Sequence, residues 1–236
     1  MYILSIETTG PLASVALCDG ERIWQKINNT QYSHLEEIVP MTAELMKEAG
    51  ICSSDLAAVA VSRGPGSFTG VRIGMATAKG LAQVWDKPVV EVPTLASFAF
   101  GKYEFAGAKA LICPVFDARR NQVYAAAYPL GSEAPAVEGA AYDIKDYLSL
   151  VKAVSPDYEE VIFFGDGCKV YEQAIKESCV KCKFAPEEAR FQQADSVARL
   201  AKKLYEEGKL TSCFECQPDY MREAEAERKL KEKNAN

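Results

Sequence analysis

Residues 62–80, SRGPGSFTGVRIGMATAKG, constrain what this chain can fold into more than any other stretch. The apolar run before them, residues 56–61 (LAAVAV), reads as a buried strand. Gly64, Gly66 and Gly70, with Pro65 among them, then predict a tight irregular turn, because glycine takes positive φ at no steric cost. A helix follows from about Thr69 and must stop before Pro88. Gly70, Gly74 and Ala78 recur in it at i, i+4 and i+8, so one face carries almost no side chain. Each mid-helix glycine costs about 1 kcal/mol against alanine, and something must compensate. Either a neighbouring element of the same chain packs closely there or a helix of another subunit docks there. Spacing leaves both readings open.

The rest of the chain has room for one large or two smaller domains in 236 residues. Residues 2–7 (YILSIE), 12–17 (LASVAL) and 21–27 predict three strands in an antiparallel meander. A helix over residues 33–49 opens on a capping box of Ser33 and Glu36 and ends at Gly50, with Pro40 inside it as a kink site. Leu35, Ile38, Val39, Thr42, Leu45 and Met46 form its apolar face. Strand 56–61, the glycine helix and strand 88–92 complete a βββαβα-type unit. The plan then recurs: strand 110–116 ends in Asp117 as the first ends in Glu7, and strand 123–128 follows a polar turn. Residues 131–141 read as loop, 143–153 as helix, 161–164 as strand, then the turn Gly165-Asp166-Gly167 and a helix to about Glu177. Residues 194–207 predict an amphipathic helix and 220–233 a charged one. Two such halves predict an α/β protein of the duplicated actin-like (ribonuclease-H-like) architecture. The expected division is residues 1–102 and 103–217, with 218–236 packing near the first half.

A net charge of −6 argues against nucleic-acid binding by the isolated chain, since affinity for phosphates rests on clustered Lys and Arg. Met1 leads straight into YILSIE, with no basic region or long apolar core, so neither a signal peptide nor a membrane span is expected. Eight cysteines without secretory context fit reduced thiols in the cytoplasm.

ILSIETTGPLASVAL, SHLEEIVPM, SRGPGSFTGVRIGMATAKGLA, DARRNQVYAAAY, the GDG turn and PDYMR together resemble the TsaB (YeaZ) family, in family order and across nearly the whole chain. GPGSFTGVRIG is the specific segment. The resemblance implies a non-catalytic, actin-like subunit that dimerises with itself when alone and pairs with a related catalytic subunit, TsaD. A small ATPase, TsaE, joins the pair. Together they install threonylcarbamoyl on the adenosine beside the anticodon of tRNAs reading A-starting codons. The family's partner surface is built from its first two helices. That places Ser33, Leu35, Ile38, Val39, Thr42, Leu45, Gly70, Val71, Arg72, Gly74, Met75 and Ala78 at the interface, beside the turn of Gly64, Gly66, Ser67 and Thr69, and it favours the docking reading of the small face. No cofactor of its own is implied, though ATP or ADP fits the seam of the complex; tRNA is met only within the complex, and no membrane is involved.

The residues themselves agree on what is missing. The chain has a single histidine, His34, so the histidine pair that binds metal in the catalytic relative has no counterpart, and no nucleophile-elbow pattern is present. Actin-like enzymes hold phosphates at the first hairpin turn of each half. Here those turns are Glu7-Thr8-Thr9-Gly10 and Asp117-Ala118-Arg119-Arg120, and the second lacks glycine. Thr8, Thr9, Gly165 and Gly167 are candidate weak nucleotide contacts, with ordinary turns as the plainer reading. The glycine turn is not a Walker A loop, because no Lys-Ser/Thr pair follows. Arg63 and Arg72 flank it, and Arg72, one residue from the small face, suits a charged partner contact. Cys179, Cys182, Cys213 and Cys216 form two CxxC pairs; a zinc site would need them together, but the intervening segment is long and carries a helix. The rival to a subunit is an autonomous actin-like ATPase or small-molecule kinase.

Overall fold

The computed structural model of the chain describes residues 1–28, 34–178 and 182–221. Its first half builds on β1 (Tyr2–Glu7), β2 (Ala13–Cys18) and β3 (Ile23–Asn28), an antiparallel meander. β4 (Leu56–Gly64) then pairs parallel to β1, and β5 (Val89–Pro93) parallel to β4, giving the order β3-β2-β1-β4-β5. Two helices, α1 (His34–Ala49) and α2 (Phe68–Trp85), cover one face, and α3 (Thr94–Ser97) follows β5. The second half repeats the plan with β6 (Ala110–Asp117), β7 (Gln122–Pro129), β8 (Val137–Asp143), α4 (Ile144–Val154) and β9 (Glu160–Phe164). It closes with α5 (Gly167–Val170), α6 (Glu172–Ser178) and β10 (Cys182–Phe184), in the order β10-β9-β6-β7-β8. Read from the antiparallel edge, both sheets run third, second, first, fourth, fifth strand.

Strand alternation explains how three cores share these sheets. In β1 and β4, Leu4, Ile6, Val59 and Val61 point toward α1 and α2, while Ile3, Ala58 and Ala60 point the other way. Parallel strands covered on both faces need such continuous apolar runs. The inner faces of the two sheets meet in one shared core, where Ile3, Val90, Ile112 and Phe164 pack with Phe98. The second sheet's outer face packs Leu111, Val115 and Phe163 against Tyr147 of α4 and Ile175 of α6.

Helix ends follow local chemistry. α1 runs through Pro40 and stops at Gly50, which has φ of +69° while the Ile51 amide bonds back to Met46. The Ser67 hydroxyl caps α2 by accepting from the Gly70 amide at 3.3 Å. Ser33, the expected cap of α1, lies outside the described residues, as do 222–236 of the expected terminal helix.

Several expectations are corrected. Residues 131–141 are not all loop, because β8 begins at Val137 and pairs antiparallel with β7. Its small residues hid it: Gly139, Ala140 and Ala141 carry little of the β-branched or aromatic signal of a strand. The helix after Gly167 is broken at Tyr171 into α5 and α6. α7 (Ala194–Glu206), assigned by sequence to the second half, lies across β1 and β2 of the first. The Ala194 amide donates to Ser14 Oγ at 2.9 Å and the Asp195 amide to Gln25 Oε1 at 2.7 Å, while Val197, Leu200 and Leu204 enter the shared core. Thr211 then bridges Val89 of the first sheet with two backbone hydrogen bonds. Among the described residues no helix is long and apolar enough to cross a membrane.

Candidate functional site

The first hairpin turn and the glycine helix form one unit. Glu7 ends β1 fully buried, and its carboxylate accepts from the Ser62 hydroxyl and from the Thr9 amide. Burial pushes the carboxyl above its usual range, and the donors from Ser62 and Thr9 pull it partly back. Beyond it, the Thr8 hydroxyl donates to the Gly70 carbonyl at 2.7 Å, and the Ser67 amide donates to the Thr9 carbonyl at 2.8 Å. A β-carbon at Gly70 would sit 2.0 Å from the Thr8 carbonyl oxygen; at Gly74 it would sit 2.3 Å from the Thr8 hydroxyl. The bare face of α2 is therefore filled by the chain's own β1 turn, and the docking reading of that face is corrected in favour of intrachain packing. Val71, Met75 and Ala78 are buried with it, and so are Ile38, Thr42 and Leu45 of α1. These eight residues, Gly70 and Gly74 included, form the seam between the helices and their sheet.

What α1 and α2 show to solvent is a different set. Leu35 is 70% exposed and Val39 50%, one turn apart on α1. Phe68 is 45% exposed and Val84 80% on α2, where Arg72 is also exposed. Both helices begin at the same end of the sheet, since α1 leads into the start of β4 and α2 leaves from its finish. Sequence reading missed Phe68 and Val84. Their signal was present: both fall off the buried stripe of Val71, Met75, Ala78 and Ala82, which recurs at helical spacing.

Beside the start of α2 lies an open cleft between the halves, of about 570 Å³, lined by Thr9, Ser67, Thr69, Asp117, Arg119 and Asp166 among others. The nucleotide candidates divide here. Thr9 lines the cleft, but its hydroxyl is buried. Thr8 is turned to Gly70, and Gly165 and Gly167 press on the Val115 carbonyl, which a β-carbon on either would approach within 2.8 Å. All three make close packing contacts within the chain. At the second turn Arg119, Arg120 and Asn121 all take positive φ, of 63°, 54° and 61°, a strained run for residues with side chains. The Asp117 carboxylate accepts from the Arg119 amide at 2.9 Å and from the Tyr171 hydroxyl at 3.1 Å; Asp166 Oδ1 accepts from the Asp117 amide at 3.1 Å. Burial raises the Asp166 carboxyl, a shift the Asp117 amide opposes.

The glycine turn is packed rather than open. Gly64, with φ of +117°, lies against the Asp219 carbonyl, and its amide donates to Thr94 Oγ1 at 3.1 Å. The cysteine pairs do not converge: Cys182 packs in the outer core of the second sheet, Cys213 and Cys216 in that beneath α2, and Cys179 lies outside the described residues. Among the described residues no three His, Cys, Asp or Glu side chains are placed to hold a metal ion.

Comparison with known proteins now adds a name to the geometry. A family model described as TsaD, tRNA N6-adenosine threonylcarbamoyltransferase, matches residues 28–230. The chain is 32% identical over 233 residues to the tRNA threonylcarbamoyladenosine biosynthesis protein TsaB of Bacillus subtilis (strain 168), a match that covers 97% of each. The chain belongs to the TsaB family. A solved structure of YeaZ from Pseudomonas aeruginosa matches with a TM-score of 0.77 at 26% identity, covering 93% of this chain and 99% of that one. A ROK hexokinase from Thermus thermophilus, at 15% identity and a TM-score of 0.50, covers 88% of this chain and 100% of its own, and bears on the fold alone. This TsaB-family chain is thus an actin-like α/β protein of two subdomains, as its sequence predicted.

Proposed function

We propose that this TsaB-family chain is a non-catalytic subunit in the biosynthesis of threonylcarbamoyladenosine in tRNA, and that it docks the solvent faces of α1 and α2 on a TsaD-like catalytic subunit. The observation that carries the reading is the exposure of Leu35, Val39, Phe68 and Val84 on two adjacent helices. Scattered apolar side chains are ordinary on a surface, but several large ones on neighbouring elements mark an interaction site. The burial of Glu7 supports the non-catalytic half of the reading, because the acidic end of β1 is committed to Ser62 and Thr9 rather than facing the cleft.

Alone, the chain would pair with itself through the same face, so homodimer and heterodimer exclude one another. A TsaE-like ATPase joins the heterodimer, ATP or ADP belongs at the seam of the assembly, and tRNA is met only within it. The test is co-purification with the TsaD-like protein of the same organism, followed by a tRNA modification assay with each subunit omitted in turn. A stable pair whose activity vanishes without this chain is the expected result. Full modification by the catalytic subunit alone would overturn the proposal.

A further inference from the structure

We infer that Arg72 is the charged anchor of the docking face, and that Tyr220, reaching it from the far end of the chain, positions it for a carboxylate on the partner protein. The inference rests on the docking reading above. Arg72 Cζ stands 3.8 Å from the centre of the Phe68 ring, and its Nε donates to the Tyr220 hydroxyl at 2.8 Å. The two rings lie 5.3 Å apart and close the stack. Among the described residues the two terminal nitrogens of Arg72 have no partner, so the flat edge of the guanidinium is presented to solvent.

Tyr220 arrives on a fastened strap. Lys79 Nζ donates to the Cys216 carbonyl at 3.0 Å, and the Gln217 amide donates to Glu91 Oε1 at 2.8 Å. The Asp219 amide donates to the Arg63 carbonyl at 2.7 Å, and the Asp219 carboxylate stands 3.7 Å from the Arg63 guanidinium. Holding an exposed arginine still costs side-chain entropy that solvent does not return. A preorganised fork recovers that cost when it meets a flat anion in two parallel hydrogen bonds. The exposed side chains one turn to either side of it on α2, Phe68 and Ala76, are apolar, which is the setting of an arginine at a protein interface. A phosphate reader would instead cluster several cations, and Lys79 is already bound to the strap.

The experiment titrates the purified TsaD-like partner with the full chain and with Tyr220→Phe, Arg72→Lys, Arg72→Ala and the double variant Arg72→Ala/Tyr220→Phe, at low and high salt, with thermal melts of each. Tyr220→Phe is expected to weaken binding about 2–12-fold, the range for one lost hydrogen bond, with an unchanged melt. Arg72→Lys does not restore the parent affinity, the double variant is no weaker than Arg72→Ala, and the gap between parent and Arg72→Ala narrows in high salt. Parent affinity in Tyr220→Phe, or a further loss when it is added to Arg72→Ala, would overturn the assignment. So would Arg72 variants that bind the partner normally but lower tRNA retention by the assembled complex. Failure of the parent chain itself to bind would instead remove the docking reading beneath it.

Discussion

Thr8 and Gly70 touch so closely that no methyl group fits between them: the Thr8 hydroxyl donates to the Gly70 carbonyl, and the Thr8 carbonyl lies 2.0 Å from where a β-carbon of Gly70 would be. The contact explains the stripe of small residues on α2. It lets the turn after β1 sink onto the helix, with Glu7 buried behind it and Ser62 beneath. The turn after β1 thus serves as a brace for the helix.

The glycines of α2 should therefore differ sharply in their tolerance of a methyl group. Gly70→Ala gains about 1 kcal/mol of helix propensity. It loses about 1–3 kcal/mol or more to overpacking against a backbone oxygen that cannot swing away. The net is a lower melting temperature for the isolated chain. Gly80, in the same helix, has no atom within 4 Å of its would-be β-carbon. Gly80→Ala should keep the gain and melt about 2–4 °C higher. Thermal melts of the two variants side by side decide it; equal shifts would show that Thr8 does not press on α2.

Glu7 sets a pH dependence. Its carboxyl is raised in the folded chain, chiefly by burial. Between the ordinary carboxylate range and that raised value the folded state holds a proton that the unfolded chain has lost. Stability contributed by this group is therefore greatest at low pH and declines as pH rises through the window. Glu7→Gln can accept from the Thr9 amide and donate to Ser62, so it should abolish this slope and be at least as stable at neutral pH. Glu7→Ala leaves both donors unpaired and should lose about 1–3 kcal/mol for each. Urea midpoints across acidic pH would check both.

Much of this was legible beforehand. The two halves could be read because the apolar runs in residues 2–7 and 110–116, and turns at Gly10 and Gly165, are local signals. The small face of α2 could be seen, but not what filled it, since Thr8 meets Gly70 across 62 residues of sequence. β8 escaped because Gly139, Ala140 and Ala141 carry little β signal, and only pairing with β7 makes them a strand. α7 has a strong amphipathic pattern, yet its apolar stripe fits either sheet; the bonds to Ser14 and Gln25 that assign it are long-range.

The docking face should be separable from the fold. Leu35→Asp and Val84→Asp place a charge on side chains already in water, so each should move stability by no more than about 0.5 kcal/mol. In a complex the same carboxylate would be buried without a partner, and binding should fall at least about tenfold. Gel filtration with the TsaD-like protein, paired with melts of the free chain, separates the two effects. Variants that elute in the normal heterodimer would place the partner elsewhere.

The cleft should discriminate subunit from enzyme. An autonomous ATPase or kinase needs tight magnesium–nucleotide binding between the halves, where Asp117, Arg119 and Asp166 line about 570 Å³. The opposite wall argues against it: Thr8 is bonded to Gly70, Glu7 to Ser62 and Thr9, and Gly10 is covered by the Gln192 side chain, whose Oε1 lies 2.6 Å from a would-be β-carbon. A nucleotide would find its phosphates beside two acids, Asp117 and Asp166, that repel them. Calorimetry of the isolated chain with Mg-ATP should detect no binding in the micromolar range, and Asp117→Asn should leave affinity for the TsaD-like partner unchanged. Micromolar binding with turnover, lost in Asp117→Asn, would establish the enzyme reading in place of the subunit.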